Sequence, residues 1–88
     1  MEIPYKKVDI DWIDIVSFAE WMDKEQISNL KPRNCNTKGY LFIKNKDVVI
    51  TFDSVCFDEF GNIESYSNIT VIPAKNVIEI RYDWRWYN

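Results

Sequence analysis

Thr37-Lys38-Gly39-Tyr40-Leu41-Phe42-Ile43-Lys44-Asn45-Lys46-Asp47-Val48-Val49-Ile50-Thr51-Phe52 is the stretch that decides the fold class. Two runs rich in β-branched and aromatic residues flank a polar tetrad of turn formers, which is the pattern of a β-hairpin. The first strand extends back to Arg33, and the second returns over Val48 to Val55. Cys35, Thr37, Gly39, Leu41 and Ile43 share one face of it, and Lys38, Tyr40, Phe42 and Lys44 share the other. With Asn45 and Lys46 as the loop, Ile43 faces Val48, Leu41 faces Ile50, and Lys38 faces Asp53. That register puts Leu41, Ile43, Val48 and Ile50 on one face and Tyr40, Phe42 and Val49 on the other. Both faces then need cover, one from a helix and one from another subunit.

Working outward, Val8, Ile10 and Trp12 alternate with Asp9 and Asp11, which reads as a half-buried strand. A short helix is expected after it. Ser17 and Glu20 have capping-box spacing, and Phe18, Trp21 and Met22 fall on one helical face. It should end near Gln26, and Lys31-Pro32 prevents continuation. Downstream, Asp58-Glu59-Phe60-Gly61-Asn62 is turn chemistry. Another strand spans residues 69–72 and ends at Pro73, and residues 74–77 make a tight connection with one 3₁₀ turn. The last strand starts at Val77 or Ile78, with Ile78, Ile80 and Tyr82 on one face and Glu79 and Arg81 on the other.

The chain has 88 residues, enough for a single domain over 1–88 with one small core. Hydrophobic residues make up 47%, too many for a disordered chain. No apolar run approaches a membrane span, and Met1-Glu2-Ile3-Pro4 does not begin a secretory signal. The expected setting is therefore the cytoplasm. Cys35 and Cys56 are expected as free thiols. There is no histidine, which removes Ser-His and Cys-His nucleophilic catalysis and leaves no metal site or cofactor to expect. The chain is read as a non-enzyme.

Net charge is −3, unevenly distributed. Residues 31–46 carry five bases and no acid, and residues 47–64 carry five acids and no base. Such a mildly acidic chain is a poor binder of duplex DNA. Among the candidate ligand-binding residues, Arg33 and Lys38 would meet phosphate, and Asn36 and Ser54 would bind polar edges. The other candidates come from Trp84-Arg85-Trp86-Tyr87, where aromatic rings flank a guanidinium. Rings and guanidinium groups together stack on nucleobases and anchor interfaces.

Gly39-Tyr40-Leu41, Val48-Val49-Ile50 and the closing run from Val71 to Ile80, with Trp12, Asp14 and Trp21 upstream, resemble small phage and prophage proteins. The last two strands, joined by a tight Pro-containing turn, resemble the end of an SH3-like or Lsm-like barrel. The resemblance implies a mainly β fold: a small antiparallel barrel of about five strands with one short N-terminal helix. It implies a phage-like source and carries over no catalytic residue. Short phage proteins of this kind include sponges for nucleotide immune signals such as those of Thoeris or CBASS defence. The expected function is a homo-oligomeric, non-enzymatic sponge for a small nucleotide-like signal in the host cytoplasm. The alternatives are a protein-binding inhibitor of a host defence enzyme and a single-stranded RNA-binding Lsm-like protein.

Overall fold

The computed structural model describes residues 2–82. They form β1 (Lys7–Asp14), α1 (Lys24–Ser28), β2 (Arg33–Lys44), β3 (Val48–Phe52), β4 (Ser54–Phe57), β5 (Ile63–Ser67), β6 (Thr70–Pro73), a 3₁₀ turn (Ala74–Asn76) and β7 (Val77–Tyr82). A five-stranded antiparallel sheet has the order β6-β3-β2-β1-β7, and β4 and β5 pair separately as a two-stranded arm. The fold is mainly β, as expected. The expected closed barrel is not found: β6 and β7 are the two edges, joined by the 3₁₀ turn instead of by a ladder.

Alternation along β1 sets the core. Val8 and Ile10 are fully buried and cluster with Val49 and Ile72, and Trp12, Leu41, Val77 and Ile80 pack against them. Trp12 belongs to the same face, where its indole Nε1 donates to Thr37 Oγ1 at 3.0 Å. Residues of both edge strands touch this one cluster, so the sheet curls over its apolar face. The opposite face carries an aromatic cluster at one end. Phe52 is buried there, stacked on Tyr40 at 5.4 Å and edge-on to Tyr5 at 5.1 Å and to Tyr66 at 4.9 Å. Tyr66 thereby ties the β4–β5 arm to the main sheet. The radius of gyration is 17.1 Å, against about 12 Å for a compact domain of this length, so the molecule is elongated.

Two local expectations are corrected. The β2–β3 hairpin pairs Leu41 with Thr51 but Ile43 with Ile50, so the strand bulges at Phe42. A bulge shifts the ladder by one residue and exchanges faces. Val49 consequently enters the Val8 core, and Ile50 lines an apolar hollow with Phe42, Phe52 and Tyr66. Asn45 fixes the turn by accepting from the backbone N–H groups of Asp47 and Val48 at 2.8 and 2.9 Å. Lys38 lies opposite Asp9 rather than Asp53, and β3 ends at Phe52 instead of Val55, the chain leaving the main sheet at Asp53 to enter β4.

The helix also starts later than expected. Residues 15–22 are not helical, and α1 begins after Asp23, whose side chain accepts from Gln26 N at 2.8 Å. Gln26 Oε1 in turn accepts from Asp23 N at 2.9 Å, completing a capping box one frame downstream of Ser17 and Glu20. An earlier helix would have aligned Phe18 and Trp21 on one face, and the structure offers nothing to bury them: both are exposed.

Gly39 allows β2 to approach β3. A Cβ placed there would lie 2.7 Å from the Phe52 carbonyl oxygen. That neighbour is backbone and cannot swing aside. Gly39→Ala is expected to destabilise the protein by about 2 kcal/mol, lowering Tm by about 10 °C. Thermal unfolding followed by circular dichroism measures this, and an unchanged Tm would show that the two strands separate freely.

Candidate functional site

The polar face of β1 is built by alternation. Asp9 and Asp11 lie two residues apart and project from the same side, where two like charges repel. Both neighbouring strands answer them. Asn36 of β2 donates its Nδ2 to Asp9 Oδ1 at 2.6 Å and to Asp11 Oδ1 at 2.8 Å. Lys38 Nζ donates to Asn36 Oδ1 at 2.9 Å and stands 4.0 Å from Asp9. From β7, the guanidinium of Arg81 uses all three nitrogens: Nε to Asp9 at 3.3 Å, Nη2 to Asp11 at 3.0 Å and Nη1 to Glu79 at 3.1 Å.

Burial pushes the Asp9 carboxyl up, but hydrogen bonds from Asn36 and Arg81 and the charges of Lys38 and Arg81 outweigh it. The net shift is below the ordinary value of 3.8. Hydrogen bonds from Asn36 and then Arg81 lower Asp11 in the same way. The same bonds to Asp9 and Asp11 raise Arg81 above its ordinary value. Three carboxylates and two cations leave this cluster with one net negative charge, so it does not attract an anion.

The candidate residues do not converge. Asn36 and Lys38 come together, and both are engaged with Asp9. Arg33 lies at the start of β2 opposite Asp14, and strand alternation sets it on the face away from Lys38. Ser54 belongs to the arm, where it donates to Asp53 Oδ1 at 2.7 Å; that bond, followed by one from Asn68, lowers the Asp53 carboxyl. Trp84, Arg85, Trp86 and Tyr87 lie outside the described residues. Asp9, Asp11, Glu79 and Arg81 are the partners that the candidate set lacked.

Beside the carboxylate network, at the end of β7 that leads to residue 83, a cleft of about 460 Å³ opens between Tyr5, Lys6, Lys7 and Tyr82. Lys6 Nζ stands 5.6 Å from the centroid of the Tyr82 ring. The Tyr5 ring is packed against Phe42, Phe52 and Tyr66, so the Tyr82 ring and the Lys6 ammonium are the groups here that suit a flat aromatic ligand bearing negative charge. Among the described residues, no group of three or more His, Cys, Asp or Glu side chains could hold a metal ion. Cys35 and Cys56 are free thiols. No helix of the described residues is long and apolar enough to cross a membrane.

Comparison with protein-family models, with curated proteins and with solved structures finds no match for this chain.

The lowered carboxyls fix the sign of an acid response. A depressed folded-state pKa stabilises the protein above the unfolded value, and that stability is lost as pH falls through the folded value. From about pH 5 to about pH 2, the urea midpoint of the native protein is expected to fall more steeply than that of Asp9→Asn. Parallel curves would show that the network adds nothing to stability.

Proposed function

We propose that the protein is a non-enzymatic, phage-type binding module that captures a small nucleotide-like signal at the cleft between Tyr5, Lys6, Lys7 and Tyr82. The observation that carries this reading is the Lys6 ammonium over the Tyr82 ring at the mouth of that cleft. The base would stack on Tyr82 while Lys6 meets phosphate. Trp84, Arg85, Trp86 and Tyr87 follow Tyr82 within five residues of the sequence and are further stacking and phosphate-binding residue types. Arg33, Asn36, Lys38 and Ser54 drop out of the first contact set, since the last three are engaged within the chain. Sequestration requires affinity and slow release without turnover. It suits a chain with no histidine, acting in the cytoplasm of a host cell.

The scaffold on this reading is an opened SH3-like sheet. The strand order β6-β3-β2-β1-β7, with a 3₁₀ turn joining the edge strands, supports that relationship. A second reading, a protein-binding inhibitor, is favoured by one observation: in the connection from β1 to β2, Trp21 is 101% and Ile15 79% exposed. Apolar side chains displayed in this way mark protein contact surfaces.

Differential scanning fluorimetry with ADP-ribose and cyclic di-AMP separates the two readings. At about 100-fold excess over Kd a ligand adds about 2.7 kcal/mol, a rise in Tm of about 10 °C or more. Tyr82→Ala is expected to weaken binding by about 1–3 kcal/mol while the ligand-free Tm stays close to native. If neither probe raises Tm, the nucleotide reading fails and the inhibitor reading takes its place.

A further inference from the structure

Two surface features outside the Tyr5–Tyr82 cleft are left without a role, and each has what the other lacks. The first is the tip of the β4–β5 arm. Phe60 is 80% exposed there. The turn that carries it is closed by four hydrogen bonds. Asp58 Oδ1 accepts from Phe60 N and Asn62 N, both at 2.9 Å, Asp58 N donates to Asn62 O at 2.8 Å, and Gly61 N donates to Asp58 O at 3.1 Å. Gly61 has φ +85°, a conformation that a side chain would strain. The ring is thus displayed on a preorganised turn, so docking it costs little ordering entropy. The arm, residues 53–69, carries Asp53, Asp58, Glu59 and Glu64 and no base.

The second feature is a cleft of about 510 Å³ at the far end of β1, between the β1–β2 connection and the 3₁₀ turn. Ile13, Ile15, Phe18 and Leu30 give it an apolar lining, and Lys31 and Lys75 stand among its walls with one acid, Asp14, so the bases are in excess by one. Ile15, Phe18 and Leu30 are themselves exposed. The cleft is larger than one phenylalanine side chain and leaves room for the residues beside it.

We infer that the arm tip of one copy of this chain docks in the loop cleft of another, with Phe60 in the apolar lining and Glu59 against Lys31 and Lys75. Charge complementarity and fit select a second copy as the occupant: a tip with two acids, no base and an exposed ring meets an apolar cleft whose two lysines outnumber its one acid, Asp14. The contact is intermolecular because the two features sit at opposite ends of the sheet. The arm is anchored through Tyr66 to Tyr5, just before β1, whereas the cleft begins at Ile13, where β1 ends. Made reciprocally about a two-fold axis, the contact fills both clefts with both rings at once. Phe60 would be its anchor, since a buried aromatic in a closed pocket dominates interface energetics.

Sedimentation equilibrium on the full chain tests this. The native protein is expected to associate reversibly, and Phe60→Ala to weaken association by more than about tenfold without lowering Tm, because the ring touches solvent. Glu59→Lys and Lys75→Glu, both at exposed positions, should each impair self-association. An equimolar mixture of these two variants should restore it, because every tip then finds a cleft of opposite charge. A native protein that stays monomeric overturns the inference and leaves the cleft to a foreign protein. So does an oligomer that persists in Phe60→Ala, or a mixture that fails to reassociate. Nucleotide binding at Tyr82 is read separately, by fluorimetry, so either idea can fail alone.

Discussion

Two carboxylates on one face of a central strand must be neutralised, and the sheet is arranged so that they are. Val8 and Ile10 drive β1 into the middle of the molecule, and the same alternation forces Asp9 and Asp11 onto its other side. Asp9 and Asp11 keep some contact with water, but two like charges on one strand face repel unless cations or donors stand beside them. β2 supplies Asn36 and Lys38, and β7 supplies Arg81 with its three-way fork. The placement of β7 beside β1 therefore rests on two supports: apolar contact through Ile80 on one face and the Arg81 fork on the other. Each exposed ion pair contributes little alone. Here the same guanidinium joins Asp9, Asp11 and Glu79, so it also fixes register.

This explains what could be read from the sequence and what could not. The alternation of β1, the extent of β2, the break at Pro73 with its 3₁₀ turn and the start of β7 follow from short-range pattern, and they appear as expected. The hairpin register does not, because turn spacing alone cannot reveal the extra residue at Phe42. One bulged residue exchanges the roles of Val49 and Ile50, which look alike in sequence. The start of α1 escapes the sequence pattern for a related reason. Two capping frames lie six residues apart, Ser17 to Glu20 and Asp23 to Gln26, and only tertiary cover could favour the first. The β5 strand, Ile-Glu-Ser-Tyr-Ser, has too few apolar residues to announce itself, yet its tyrosine holds the arm in place.

The candidate site was legible in type rather than in place. Asn36 and Lys38 do lie together on β2, but the residues that occupy them come from β1, and cross-strand partners depend on sheet order. Turn spacing alone sets Lys38 against Asp53 within the hairpin. Lys38 pairs instead with an acid near the beginning of the chain, which frees the acidic segment to form an arm without bases.

That outcome directs recognition away from the centre of the polar face. The Asp9–Arg81 network keeps one net negative charge and leaves an anion no unshared cation within it. What remains for contact lies at the periphery: the Tyr5–Tyr82 cleft at one end of β1, the loop cleft at the other, and the Phe60 tip beyond the aromatic cluster. A domain of this size gains most of its stability from burying apolar area and has little to spare. Ile15, Trp21 and Phe60 contribute little to that burial in the isolated chain, and Phe18 and Leu30 bury only about half of their surface. Their cost in solubility is offset only when another surface covers them, so the same residues that weaken the lone domain are those through which it gains by binding.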